Sequence, residues 1–457
     1  FQYPFRTRAK NLRSERGNPI NRKSRNNMEQ LLHYVWKHKL FPLSPLTTTW
    51  HQAVEVIDPG LHNRNAGPDF FNAKIKLNGT LWVGNVEIHD KASDWYVHGH
   101  DKDERYDNVI LHVCGTIDVE AKNSKGEPLV QLQLDIPENV SKHYQELLSI
   151  DQYPPCYQII PSLTRLTVHS WMSALQTERL SQKTDAIEAR VKQCNGDWEN
   201  AYFVTLARNY GFGINGDAFE QWAYHLPLRA VDHHRDDLFQ IEAIFLGQAG
   251  LLELNTIPER YQKDALNDGY FSRLRNEYLY LSHKFSLQPM DYKQWRFLRL
   301  RPQNFPHIRI SQLANLYYNR RAGLSQLLEA STVKEAKQVL STSVTEYWET
   351  HYTFGSTSIR NEKHLSPFSL NLLIINTVVP ILFAYGRHRG EEKYCDRAFD
   401  FLEELKAENN HIVRMWKECG LPVENAGDSQ ALIQLKKEYC DRKECLRCRI
   451  GYEYLKR

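Results

Sequence analysis

No apolar run in this 457-residue chain is long and unbroken enough to cross a membrane. The best stretch, Leu370 to Ala384, is interrupted by Asn371, Asn376 and Pro380. A secretory leader is also missing from the opening residues: positions 1–27 contain no apolar core. A cytoplasmic protein without a membrane partner is therefore expected. Cysteine is scarce, at 8 residues, which excludes a disulfide-dense scaffold and makes any cluster of thiols worth explaining. Charge of one sign is lacking too, since the net charge is only +3. Residues 1–27 hold eight Lys/Arg against one acid, Glu15, or +7; with the whole chain at +3, residues 28–457 carry −4. A uniformly basic nucleic-acid coat is thereby excluded, and any basic groove must be local. Residues 1–27 read as a basic, disordered tail, and Met28, heading the first helical pattern, reads as a natural start.

What is present begins at Met28. Apolar residues at 31, 32, 35, 36 and 40 have helical spacing, with Pro42 and Pro45 beyond to end the helix. Ala53 to Ile57 predicts a strand, and Asp58-Pro59-Gly60 a turn. Asn78-Gly79 between two apolar runs predicts a hairpin, because both residues tolerate the positive φ of a type I′ turn. Val109 to Val113 suits a central strand, and Ile117–Ala121 and Leu129–Ile136 two more around Lys125-Gly126.

This region also carries the residues that suggest chemistry. Asp69 stands at the mouth of the first hairpin run, and Glu87 and His89 at the end of the second. Glu87 and His89 share a face, being two apart on a strand. Converging carboxylates can hold a hard divalent cation, here Mg²⁺ or Mn²⁺, which stabilises phosphoryl charge and activates water. Parity sets a condition. A strict two-residue turn pairs Leu77 with Thr80 and puts Asp69 opposite Ile88, on the wrong face from Glu87. The acids meet only if a bulge or twist intervenes near Phe70-Phe71. Histidines crowd the same stretch: His62, His89, His98, His100 and His112. His98-x-His100 with Asp103 is a candidate zinc or manganese set. His98 and His112, with Asn63 and Arg64 before the Gly-Pro-Asp turn, are candidate substrate contacts.

Pro68-Asp69, a spacer of 17 residues, then Glu87-Ile88-His89 resembles the Pro-Asp … Asp/Glu-x-Lys motif of the restriction-endonuclease-like nuclease superfamily. The resemblance implies an α/β nuclease core with Asp69 and Glu87 as metal ligands and DNA as substrate. His89 stands where that superfamily places lysine, so it would position the attacking water or assist the metal, without a permanent charge. More widely, Asp58 to Asn63, Gly84 to His89, Tyr106 to His112, Leu238 to Ala243, Arg301 to Pro306 and the terminal cysteines are similar to a bacterial family, found chiefly in Bacteroidota, described as domain of unknown function 2851. That likeness covers nearly everything after Met28.

From Leu163 onward the patterns are helical, over Leu163–Val191, Trp198–Tyr210, Leu238–Leu252, Tyr261–Phe285, Val333–Glu349 and Leu370–Arg387. Gln240-Ile241-Glu242 and Arg299-Leu300-Arg301 read as solvated surfaces. The aromatics (10 Trp, 24 Tyr, 19 Phe) are expected to fill helical cores more than to stack on bases. The expected architecture is α+β: a basic tail 1–27, a restriction-endonuclease-like α/β domain 28–140, a proline-marked linker 141–162, and a helical domain 163–457 ending in cysteines. There Cys440-x4-Cys445-x2-Cys448 has metal-ligand spacing, for zinc or a [4Fe–4S] cluster. Cys419 is the expected fourth ligand, with Cys395 or His411 behind it. Flanking Lys436, Lys437, Arg442, Lys443, Arg447 and Arg449 are expected to lower the thiol pKa values.

Three functional readings follow. The first is a metal-dependent nuclease-like hydrolase whose helical part clamps nucleic acid or a partner protein. The second is a catalytically inactive scaffold binding nucleic acid or protein. The third is a metallohydrolase of small molecules, with His98, His100 and His112 converging on a narrow pocket.

Overall fold

The computed structural model describes residues 19–41, 44–63, 65–150, 153–319 and 323–457. Residues 1–18, most of the basic tail, lie outside them. The chain divides into two compact units, one of residues up to Leu163 together with Glu438–Arg457, the other Thr164–Lys437.

In the first unit a single mixed sheet organises the chain. Helix α1 (Pro19–Lys37) begins within the expected tail, nine residues before Met28. It stops at Lys37, and Lys39 has φ of 52°, so left-handed backbone turns the chain away before Pro42 is reached. Leu31, Leu32, Val35 and Trp36 are buried by packing against the sheet, the face the spacing predicted. Strands β1 (Val54–Asp58), β2 (Leu61–His62), β3 (Phe70–Leu77), β4 (Thr80–Lys91), β5 (Val109–Thr116) and β6 (Gln131–Gln133) follow. The order is β1-β3-β4-β5-β6, with β2 also on β3. The β1–β3 and β3–β4 pairs are antiparallel, while β4–β5 and β5–β6 are parallel.

The β3–β4 turn is the expected one: Asn78 has φ 47° and Gly79 φ 85°. The segment 117–121 is not a strand, and Leu129–Ile136 shortens to β6; Lys122 and Pro128 make only an isolated bridge around the Gly126 turn. Helix α2 (Glu138–Ser149) runs into the expected linker and is tied to the C-terminus: Tyr454 donates to Glu146 Oε2 at 3.1 Å.

The second unit is helical, and two expected helices break. Asp268 divides Tyr261–Phe285 by accepting from the Tyr270 N–H (2.9 Å), an N-cap inside the apolar pattern. Val333–Glu349 parts into Val333–Leu340 and Glu346–Glu349. Pro367–Arg389 is long and apolar enough to cross a membrane by composition, but 61% of its most apolar window is buried inside the unit. A π turn at Ile374–Val378 precedes Pro380 in that helix. Pro380 has no N–H for the carbonyl of Asn376, which instead accepts from Asn209 Nδ2 at 2.9 Å. Glu242, expected on a solvated face, is buried, accepting from Trp348 Nε1 (2.9 Å), the Thr345 hydroxyl and Tyr270.

Candidate metal centre

The site forms where the hairpin loses its regular register. Pairing is strict from Leu77↔Thr80 to Ala73↔Gly84, then shifts by one so that Phe70 faces Val86. Phe71 and Asn72 hold the extra residue, with Asn72 at φ 55°. Asparagine tolerates that conformation, and its N–H donates to Asn85 Oδ1 (3.2 Å), whose amide in turn donates to Asn108 Oδ1 (2.8 Å). Carried one residue further, the shifted register sets Asp69 across from Glu87. Two hydrogen bonds lock the pair: the Asp69 N–H donates to Glu87 Oε2 (3.0 Å), and Asp69 Oδ2 accepts from the Ile88 N–H (2.9 Å). The second oxygen of Glu87, Oε1, is left facing a group of imidazoles.

Those imidazoles come from β4, β5 and the crossover between them. The crossover opens with a short helical turn, Asp94–Val97, that packs on β4 and buries Trp95. His98 ends this turn, Gly99 reverses the chain at φ 74°, and His100 opens the next turn. The reversal brings both side chains onto His89. His98 Nδ1 lies 3.1 Å from His89 Nε2. Glu87 Oε1 is 3.2 Å from His100 Nε2 and 3.7 Å from His89 Nε2. His89, His98 and His100 each offer a ligand nitrogen within 4.8 Å of the others. These spacings approach the edge of a coordination polyhedron, roughly 3.4 Å for a tetrahedron with Zn–N bonds of about 2.1 Å. Tyr106 stacks on His100 at 3.9 Å between ring centroids, and Trp95 meets His100 and His112 edge-on or tilted at 5.3 and 5.1 Å. The imidazoles therefore sit in an aromatic frame that fixes their planes.

Electrostatics mark the cluster as short of positive charge. Burial, then the neighbouring Asp69, raises the Glu87 carboxyl; burial likewise raises Asp69 against the opposing hydrogen bond from Ile88. Glu29 on α1 is pushed up to about 7 by burial and by Asp69, Asp94, Glu87 and Asp90. The histidines move the other way. Burial takes His33 down to about 4, His89 to about 2 and His112 to about 3, and lowers His100. Burial thus favours the neutral form of these rings. Among the described residues, the ion-pair contacts of Asp69 and Glu87 are with histidines alone, His33 lying 3.4 Å from Asp69 Oδ2. Neutral imidazole with carboxylate oxygen is a ligand set that could hold zinc, manganese or iron.

The other expected site residues sort differently. His112 is fully buried, so it does not reach a substrate; its Nε2 lies 2.9 Å from His89 Nδ1 and orients that ring. It also stays out of the histidine trio, so the convergence of His98, His100 and His112 is not found. Asn63 is no free phosphate contact either. Its amide donates to the carbonyls of Asn65 and Pro68 (both 3.0 Å), clasping the loop that delivers Asp69. Arg64 lies outside the described residues. Asp103 is engaged by Arg105, with Nε at 2.9 Å, and caps its turn. His98 is exposed and opens the cluster to solvent.

Of the cysteines, Cys419 ends the helix His411–Glu418 in the second unit, whereas Cys440, Cys445 and Cys448 belong to the first. The basic flank does not lower the Cys445 thiol: burial outweighs Lys443 and raises it, and Arg442, Arg447 and Arg449 face Glu438, Glu444 and Glu453. Sequence reasoning missed Glu29 and His33. They stand four apart on α1, a spacing that places them on one face, but only the sheet beneath makes that face part of the site.

No curated protein and no solved structure matches the chain. A family model does, over residues 29–411, described as a protein of unknown function, DUF2851. That span takes in the second half of α1, the sheet, the histidine cluster and most of the helical unit, and the chain belongs to this family.

Proposed function

We propose that the chain is a metal-dependent hydrolase of phosphodiester bonds, with DNA as its substrate. Glu87 and Asp69, with His89, His98 and His100, would hold a divalent ion. The observation that carries this reading is the bulge at Phe71-Asn72, which sets the Pro-Asp acid across from the acid of Glu87-x-His89. The mixed sheet, with α1 on its face and a parallel β4–β5 pair, supports a likeness to the restriction-endonuclease-like core.

The donor set shifts the expected ion from Mg²⁺, which prefers oxygen, towards Mn²⁺ or Zn²⁺. Such an ion supplies Lewis acidity and a water of lowered pKa. Glu29 and His33 stand beside Asp69 with proton affinities that straddle the ordinary histidine range, so either is placed to accept the proton of an attacking water. The water oxygen bonds to phosphorus, the bond to the leaving deoxyribose oxygen breaks, and that oxygen takes up a proton.

The test is Asp69→Asn assayed on single- and double-stranded DNA with Mn²⁺, Zn²⁺ or Mg²⁺. Cleavage should be lost while the melting transition is kept; equal cleavage by both proteins rejects the assignment. One observation favours a second reading, a scaffold that binds without turnover. His89, in the place of the superfamily lysine, is 2% exposed and neutral, so no fixed cation faces a scissile phosphate. On that reading the wild type binds DNA and cleaves none with any of the three ions.

A further inference from the structure

We propose that Cys156, Cys440, Cys445 and Cys448 together hold an iron–sulfur cluster of the [4Fe–4S] kind, with Cys156 in the place expected for Cys419. The four belong to one unit, in which the last twenty residues return to the chain around Cys156. The terminal helix α3 (Arg449–Leu455) starts directly after Cys448 and packs against both α2 and the turn Tyr157–Ser162 that follows Cys156. Tyr153, three residues before Cys156, donates to Asp441 Oδ1 at 3.4 Å, next to Cys440. Asn139 and Tyr454 fasten the terminal segment to α2, through Arg457 O (3.2 Å) and Glu146 Oε2 (3.1 Å).

The thiols themselves are neighbours. Cys156 and Cys448 are both buried at 7% exposure. Beyond burial, the groups that act on the Cys156 thiol are Cys448, Cys440 and Cys445, in that order. The Cys445-x2-Cys448 knuckle folds back so tightly that a Cβ at Gly451 would lie 2.1 Å from the Cys445 carbonyl oxygen, so only glycine fits. No disulfide uses any of the four.

Spacing separates the two ligands the sequence left open. Among the described residues, no three of these thiol sulfurs lie within 4.8 Å of one another, whereas the histidine trio does. A single zinc with Zn–S bonds of about 2.3 Å needs its sulfurs roughly 3.8 Å apart. A four-iron cluster sits between its cysteines and spreads them wider. Lys443, whose charge opposes burial at Cys445, would offset part of the cluster's negative charge.

The full-length chain, purified without oxygen, should contain about four irons and four acid-labile sulfides, with a broad visible absorbance bleached by dithionite. Cys156→Ser should lose both, and Cys419→Ser should keep both. Zinc without sulfide in the wild type, no metal at all, or iron and sulfide retained in Cys156→Ser overturns the proposal. The wild-type iron and sulfide content, with Cys419→Ser, decides the matter even if Cys156→Ser does not fold.

Discussion

Replacing His112 by phenylalanine isolates the claim that the cluster is a metal centre whose ligands are held from behind. The ring it removes is fully buried and contacts His89 Nδ1 at 2.9 Å. Phenylalanine fills a similar volume, and Gln131 keeps the Val119 carbonyl, at 3.2 Å, as a partner. The Cys114 thiol, 3.4 Å from His112 Nε2, also loses a contact, and the buried ring nitrogen left alone is His89 Nδ1. Orphaning it should cost the metal-free protein about 1–3 kcal/mol. Losing the partner that orients a metal-ligating histidine typically weakens metal binding about 10–100-fold. With metal at about 100 times the wild-type Kd, the wild type gains roughly 2.7 kcal/mol of stability. The same concentration would be about 1–10 times the variant's Kd, for a gain of roughly 0.4–1.4 kcal/mol. Isothermal calorimetry with Mn²⁺ and Zn²⁺, and denaturant melts with and without metal, read both quantities. Identical metal affinities in His112→Phe and wild type would refute the reasoning, because His89 would then not be a ligand that His112 orients.

Metal affinity should also depend on pH in a set direction. Glu29 is raised to about 7 in the folded protein and the carboxyls of Asp69 and Glu87 are raised as well, so a bound ion displaces protons from this group and Kd should fall as pH rises from 6 to 8; a flat profile over that range excludes a displaced proton. The same raised carboxyl favours the metal-free fold below its ordinary pKa of 4.5, and that contribution is lost as pH rises through about 7, whereas His33, lowered to about 4, withdraws stability as pH falls from 6.5 towards 4. Metal-free stability measured by urea melts should therefore decline on both sides of mildly acid pH. Gly99→Ala meets no atom within 4 Å but must hold φ at 74°, at a cost of about 1–2 kcal/mol or a shift of His98 and His100; an unchanged metal affinity together with unchanged stability would mean the reversal does not place them. In the helical unit, Asn209→Leu strands the Asn376 carbonyl that Pro380 cannot serve and should cost about 1–3 kcal/mol in a denaturant melt, whereas a neutral effect would show that the π turn satisfies it otherwise.

Local chemistry was legible wherever a residue decides its own backbone. Asn78-Gly79 specifies its turn by the conformations the two residues tolerate, and the α1 face follows from spacing alone. The bulge is intermediate. Parity shows that one is required, but its position depends on Asn72 meeting Asn85, and Asn85 meeting Asn108, across three strands' worth of chain. The breaks in the long helices had local signals, such as Asp268 ahead of Gly269, which an unbroken apolar pattern concealed. Glu29, His33, Glu242 and Cys156 were not legible. Each looks like an ordinary surface or lone residue until an element distant in sequence covers it. Burial of a charged side chain is a tertiary fact, and the pattern around Glu242 does not announce the Trp348, Thr345 and Tyr270 donors that make it tolerable.

On the proposed nuclease-like reading, the departure at His89 explains more than a missing lysine. A lysine there would bring its own positive charge to Asp69 and Glu87 and hold both ionised. With a buried neutral imidazole, the acids are left to repel each other, and burial raises their pKa values. The replacement thus takes one cation from the side chains and adds a nitrogen ligand at the same position. Without a proton on one of the acids, an ion from solution would restore the balance. It would find Glu87 Oε1 with His100 Nε2 at 3.2 Å, and His89 Nε2 with His98 Nδ1 at 3.1 Å, already near ligand spacing. A magnesium ion, which keeps oxygen ligands and several waters, gains little from three imidazoles, whereas manganese or zinc gains directly. On the proposed metal-dependent reading, the residue at position 89 sets the ion's identity, and a wild-type protein that takes up Mg²⁺ in preference to both would contradict that inference.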